Sequence, residues 1–182
     1  MTYKFESYDN VINPTRGMLF KLQSGARTNI EDIDKTYGYV YPRLSFYNSI
    51  TRNRKLVLKT DVNAGINLGK NFEFYQGVNL GGVNGLRGYR EERFTGQSAL
   101  AFSTDLRYSF DKFKTGLLPL QLGVFGGYDL GRVWLDDENS GRWHDSVGGG
   151  LWINALDTIG GQLGVFTSDD GVRFTFGFGV SL

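Results

Sequence analysis

The chain has 182 residues, with 20 Lys and Arg against 19 Asp and Glu. Its net charge of +1 points to no nucleic acid and no acidic partner. With no Cys and a single His, His144, it can build neither a disulfide framework, nor a thiolate metal site, nor a site with two imidazoles, so no metal or cofactor is expected.

No apolar run approaches the roughly 20 residues that a membrane-spanning helix needs. The 26 Gly lie among too many aromatic and branched residues for a disordered chain. The opening residues lack the character of a signal peptide, so an exported protein would appear here as a mature form or as part of a longer one. In chain order, residues 2–8 read as a short strand and residues 18–27 and 37–49 as longer ones. Over 56–68 a two-residue period is clear: Leu56, Leu58, Val62, Ala64 and Ile66 oppose Lys59, Asp61, Asn63 and Asn67. Over 99–110, Leu100, Phe102, Leu106, Tyr108 and Phe110 oppose Ala101, Ser103, Asp105, Arg107 and Ser109. Over 118–130, Leu118, Leu120, Leu122, Val124, Tyr128 and Leu130 oppose Gln121, Gly123, Phe125, Gly127 and Asp129. Residues 144–156 and 160–168 alternate more weakly, and a bulge at the three glycines 148–150 would shift the phase of Trp152. The last segment is the clearest, with Val172, Phe174, Phe176, Phe178, Val180 and Leu182 on one parity. Arg173, Thr175, Gly177, Gly179 and Ser181 take the other.

Charges keep to one parity in the segments 56–68, 99–110, 118–130 and 172–182. In a soluble sandwich that face would meet water, whereas in a membrane barrel it lines the lumen and the aromatic face meets lipid. Many segments reach the roughly 9–11 residues that a tilted strand needs to cross a bilayer. The connections near 10–17, 51–54, 111–116 and 157–160 are short, and 169–171 is a tight turn. Those at 28–36, 69–97 and 135–143 are longer, as on the exterior side of outer-membrane barrels. Trp134, Trp143 and several Tyr near strand ends suit an aromatic girdle, and His144 reads as an interfacial residue.

The longest connection holds Gly81, Gly82, Gly85, Leu86, Arg87, Gly88 and Tyr89. A phosphate-cradling loop would need a helix to follow, and a strand follows instead. A flexible surface loop is the plain reading. Leu86, Arg87 and Tyr89 among the glycines also suit a tight hairpin that holds one guanidinium in place. Asp105 and Asp129 share the lumen face of consecutive strands and would repel unless a cation lay between them. Arg87 is the obvious candidate, because a guanidinium can fork two carboxylates. The alternative is separate solvated charges, since Arg43, Lys59, Asp61 and Arg107 compete for partners.

Leu86-Arg87-Gly88-Tyr89 after a Gly-Gly-x-x-Gly run resembles the loop signature of the BamA/TamA outer-membrane assembly superfamily. Tyr128-Asp129-Leu130-Gly131-Arg132-Val133-Trp134 resembles its aromatic-Asp-x-Gly-x-Val-Trp strand motif. Ser103 to Arg107 resembles the strand after the loop, with Asp105 where the family usually carries Glu. Asp9, Asn10 and the run Asn13 to Gly17 resemble a shortened form of its periplasmic turn. The closing aromatic alternation resembles its C-terminal assembly signal, although Leu182 replaces the usual Phe or Trp. The resemblance implies that the loop folds into the barrel and that Arg87 pairs with Asp105 and Asp129. It also implies a role in protein insertion or translocation at the bacterial outer membrane.

The family barrel is larger, commonly sixteen strands, and its assembly factors carry periplasmic domains that are absent from this sequence. The expected fold is therefore all-β, a single antiparallel up-and-down transmembrane barrel domain over 1–182 of about eight strands, with 2–8 as a lead-in or partial pair. Half of a larger sixteen-stranded barrel, or a half barrel closed by another chain, are the alternatives. An eight-stranded interior is only wide enough for side chains, so the loop 69–97 is expected to cap one mouth or stay outside. The expected partners are the lipid bilayer and other outer-membrane proteins or a second barrel chain. A small structural barrel or membrane anchor is the second functional reading. Paired carboxylates alone do not make an enzyme, and no catalytic residue is expected.

Overall fold

A computed structural model describes residues 1–28, 36–69, 76–114, 118–135 and 141–180. Among the described residues, twelve strands follow in chain order. Those before the long connection are β1 (Thr2–Tyr8), β2 (Gly17–Arg27), β3 (Tyr37–Ser49) and β4 (Leu56–Leu68). Within it lie β5 (Val78–Leu80) and β6 (Phe94–Gly96), and after it β7 (Ser98–Ser109), β8 (Phe113–Lys114) and β9 (Pro119–Trp134). The chain continues through β10 (His144–Ala155), β11 (Ile159–Ser168) and β12 (Gly171–Val180).

The main sheet is antiparallel and ordered β1-β2-β3-β4-β7-β9-β10-β11-β12, with β8 pairing the start of β9 and β5-β6 forming a separate hairpin. Each neighbour in this order is also the next long strand in sequence, so every link is a hairpin or a loop and none is a crossover.

Register turns the sequence parity into two physical faces. Leu56, Tyr108, Val124, Leu151, Leu163 and Phe176 lie opposite one another across six strands. This row is turned outward: Phe176 in it and Phe174 beside it are 71% and 85% exposed. Five residues along these strands, Asp61, Ser103, Asp129 and Ser146 form, with Ser45 of β3, a row on the other face. A contiguous apolar outside of this extent has no place in water, whereas lipid satisfies it without any polar partner.

The polar face is the inner one. A cavity of about 580 Å³ is walled jointly by Arg43 and Asp61 of β3 and β4 and by Arg173 and Thr175 of β12, so the sheet curls towards itself. Small residues admit larger ones there. Trp152 lies on this face opposite Gly123, where a Cβ would fall 2.2 Å from the indole. Pairing of β10 with β9 is continuous from His144 to Ala155, so no bulge at residues 148–150 interrupts it.

The turn between β1 and β2 is built by side-chain caps. Asn10 Oδ1 accepts the N–H groups of Ile12 and Asn13 at 2.9 and 2.8 Å, and Asp9 Oδ1 accepts those of Thr15 and Arg16 at 2.8 and 3.1 Å. Pro14 then accepts the Arg107 guanidinium at 2.5 Å, which ties this turn to the middle of the sheet.

Residues 2–8, expected as a short strand and a lead-in or partial pair, pair β2 along their whole length, from Thr2 opposite Gln23 to Tyr8 opposite Gly17. Closure is not seen: among the described residues β1 and β12 stand at the two ends of the strand order with no pairing to each other. Of the described part of the loop 69–97, residues 85–89 lie against the inner face of the sheet.

Candidate functional site

The hairpin β5-β6 carries the glycine-rich segment, whose backbone turns on itself. Gly81, Gly82 and Gly85 all have positive φ, at 128°, 57° and 94°. Bridges join Gly81 to Asn84 and Gly82 to Leu86, and the Tyr89 N–H reaches the Leu86 carbonyl at 3.1 Å. Leu86, fully buried, packs with Leu80 and Tyr89 on Ala99 and Ala101 of β7. Tyr89 in turn meets Phe94 edge-on at 5.1 Å, and Phe94 stacks on His144 at 3.8 Å. The apolar residues among the glycines are therefore anchors.

Anchoring delivers Arg87 to one place. Its main-chain N–H donates to Asp129 Oδ2 at 2.9 Å, and its Nε lies 3.1 and 3.0 Å from the two oxygens of that carboxylate. Nη2 bridges Asp129 Oδ1 and Asp105 Oδ1, both at 2.7 Å. The guanidinium also sits 4.1 Å above the ring of Phe166, which is fully buried. Asp129 is fully buried and accepts the Ser146 hydroxyl at 3.0 Å; Ser146 Oγ in turn accepts the Gly88 N–H at 3.1 Å. Ser168 donates to the Gly88 carbonyl at 2.7 Å.

One cation between two carboxylates leaves an excess negative charge in a poorly hydrated place. The Arg87 and Gly88 N–H groups and the Ser146 hydroxyl offset it by aiming their dipoles into the cluster. Burial disfavours the charged guanidinium, but its hydrogen bonds to Asp129 and the charge of Asp105 outweigh this and hold its pKa above the ordinary value. Space is made by Gly127 of β9, where a Cβ would lie 2.4 Å from Asp105 Oδ1 and 2.7 Å from Arg87 Nη2. Gly88 is equally confined, with a Cβ falling 2.5 Å from that of Ser146.

The structure thus brings together Arg87, Asp105 and Asp129, with Gly81, Gly82, Gly85, Leu86, Gly88 and Tyr89 shaping the hairpin that holds them. The competing charges have partners of their own. Asp61 accepts the Ser45 hydroxyl and pairs with Lys59 at 2.7 Å, while Arg43 stands 3.8 Å away. Sequence reasoning did not single out Ser146, Ser168 or Phe166. Parity could have placed Ser146 on the inner face, but no local signal says which strands lie under a hairpin.

An antiparallel sheet with a lipid-compatible outside, and an inner face gripping a loop through one arginine, defines a membrane β-protein whose loop is part of its interior. The family follows from comparison: the whole chain, residues 1–182, matches the model of the Omp85 superfamily domain, and the protein belongs to the Omp85 superfamily, the BamA/TamA type. Members of this superfamily are outer-membrane proteins, which relates the chain to outer-membrane assembly and translocation factors. A search of curated proteins gave no match.

Proposed function

We propose that this chain is the membrane-embedded part of a bacterial outer-membrane assembly or translocation factor, acting by binding and guiding polypeptide rather than as an enzyme. The observation that supports this most is the hairpin seated on the inner face through Arg87. A barrel serving only as an anchor has no need of a loop ion-paired inside it.

Closure is part of the proposal. An open sheet in lipid leaves the polar edge groups of β1 and β12 unpaired, at several kcal/mol each. Strands alternate in direction along the nine-membered order, so β1 and β12 run the same way. Closing them on each other would require a parallel seam in an otherwise antiparallel sheet. Dropping β1 would leave eight strands, whose narrow interior has no room for the hairpin beside side chains. The barrel therefore closes through further strands, and antiparallel seams at both edges require an odd number of them.

The test is reconstitution. Proteoliposomes holding the chain should speed the folding of a denatured outer-membrane barrel substrate over empty liposomes, and Arg87→Ala should remove most of that gain. Equal rates with and without the chain would reject the assembly role. Steady conductance in planar bilayers would separately show an open path and count against a purely structural barrel.

A further inference from the structure

Away from the arginine cluster, the inner face of β1 to β3 carries a run of like charges. Lys4 lies opposite Lys21, and Lys21 lies opposite Arg43, so three cations stand side by side across three strands. Like charges directly opposite in a sheet are destabilising. The ends of the run are partly neutralised. Lys4 pairs with Glu6 at 2.5 Å, and Arg43 reaches Asp61 only at 3.8 Å. Lys21, in the middle, has no acidic partner among the described residues.

Lys21 and Arg43 also line a cavity of about 380 Å³ between this part of the sheet and the β5-β6 hairpin. No carboxylate lines it. The polar remainder of its wall is four amides, Gln23, Asn63, Asn79 and Asn84, and Tyr41, whose hydroxyl is already given to Asn67 Oδ1 at 2.9 Å. Thr95 donates its hydroxyl to Asn79 Oδ1 at 2.6 Å, which leaves the NH₂ of that amide as the group available for other partners. One cation without a counter-charge and a second only loosely paired, beside amide donors and with no acid in the cavity wall, form the complement of a doubly charged oxyanion. Charge-assisted hydrogen bonds from Lys and Arg to such a group are the strong ones, and the amides add donors and acceptors for hydroxyls attached to it.

We propose that this cavity binds a phosphate group, free or carried on a sugar, which neutralises the Lys21–Arg43 pair. The site adjoins the arginine cluster, since Arg43 also faces the larger cavity that Arg87 and Asp105 line, but it does not depend on the assembly role. Calorimetric titration of the detergent-folded chain at low salt would use inorganic phosphate, glucose 6-phosphate and, as the neutral control, glucose. Saturable binding of either phosphate, with none of glucose, is expected, and the tighter ligand identifies which form the cavity takes. Lys21→Gln and Arg43→Gln should each weaken binding at least about tenfold. Lys21→Arg should retain most of it, which covers the case in which loss of charge disturbs folding. Arg142→Gln, an exposed residue paired with Asp169, should change nothing. Failure of both phosphates to saturate would overturn the proposal. Binding that both Gln variants leave intact would overturn it too, as an adventitious ion only.

Discussion

At the residue scale, the arrangement rests on Arg87 and the two carboxylates that it joins. Removing one member of a buried charge network leaves the others uncompensated, which costs about 3–5 kcal/mol. Arg87→Ala should therefore lower unfolding stability in detergent or urea by roughly that amount. Arg87→Lys should recover only part, because an ammonium cannot fork Asp105 and Asp129 while stacking on Phe166. In a double-mutant cycle, Arg87→Ala and Asp129→Asn should couple strongly; additive effects would mean that the two residues act separately. Gly127→Ala is the steric counterpart. Its Cβ would meet Asp105 and Arg87 at 2.4 and 2.7 Å, so a loss of about 1–3 kcal/mol is expected from one methyl group. Asp105 and Asp129 were legible in the sequence because a two-residue period assigns every residue of a strand to a face. Arg87 was legible from its place among the fixed residues of the glycine-rich loop and from the cation that the two carboxylates need between them. Phe166 and Ser168 were not, since their contact with the hairpin joins positions about 80 residues apart in the chain.

At the element scale, the hairpin and the first turn are the two pieces set across the sheet. The exposed Arg90 and Arg93 flank the anchored part of the hairpin, so trypsin cleavage there reports its seating. In the native chain cleavage should be slow, and Arg87→Ala should speed it severalfold while the strands stay intact. The turn between β1 and β2 depends on Asp9. Burial raises its carboxyl pKa, but hydrogen bonds from the Thr15 hydroxyl and from the Thr15 and Arg16 N–H groups outweigh burial and hold it below the usual range. Its stabilising effect is thus fully present above the ordinary carboxylate pKa of about 3.9 and disappears as pH falls through the lowered folded value. Asp9→Asn should flatten that acid limb, and a native and variant protein with identical acid unfolding would show that the turn contributes nothing. The same scale shows where sequence reasoning stopped. Lys4 and Glu6 alternate with Tyr3 and Phe5 in a short segment, so residues 2–8 read as a short strand but only as a lead-in or partial pair; register pairs them with β2 along their whole length. Lys21 drew no attention because the alternation around it is weak and its two like-charged neighbours come from other strands.

At the scale of the whole molecule, the strand order and the two faces make one claim, that this is a wall between lipid and a polar interior. Its all-β, antiparallel character was legible from composition and period alone. Closure was not, because no residue in a strand records how many strands complete the circle. Direction supplies what sequence could not, since edges that run the same way call for an odd complement. A second copy of this chain inserted in the same orientation would meet those edges with parallel seams. Hydrogen exchange on the folded chain should therefore show the amides of β1 and β12 exchanging far faster than those of β9 and β10. Protection of all four alike would mean that the edges are already paired.

Because the chain contains no cysteine, single cysteines can be placed along β12 from Val172 to Val180 and spin-labelled in reconstituted vesicles. The measurement is accessibility to oxygen, which partitions into lipid, against a water-soluble nickel chelate. Labels at Val172, Phe174, Phe176, Phe178 and Val180 should favour oxygen, those at Arg173, Thr175, Gly177 and Gly179 the chelate, in strict alternation. Equal access of the chelate to both sets would contradict a lipid-facing wall.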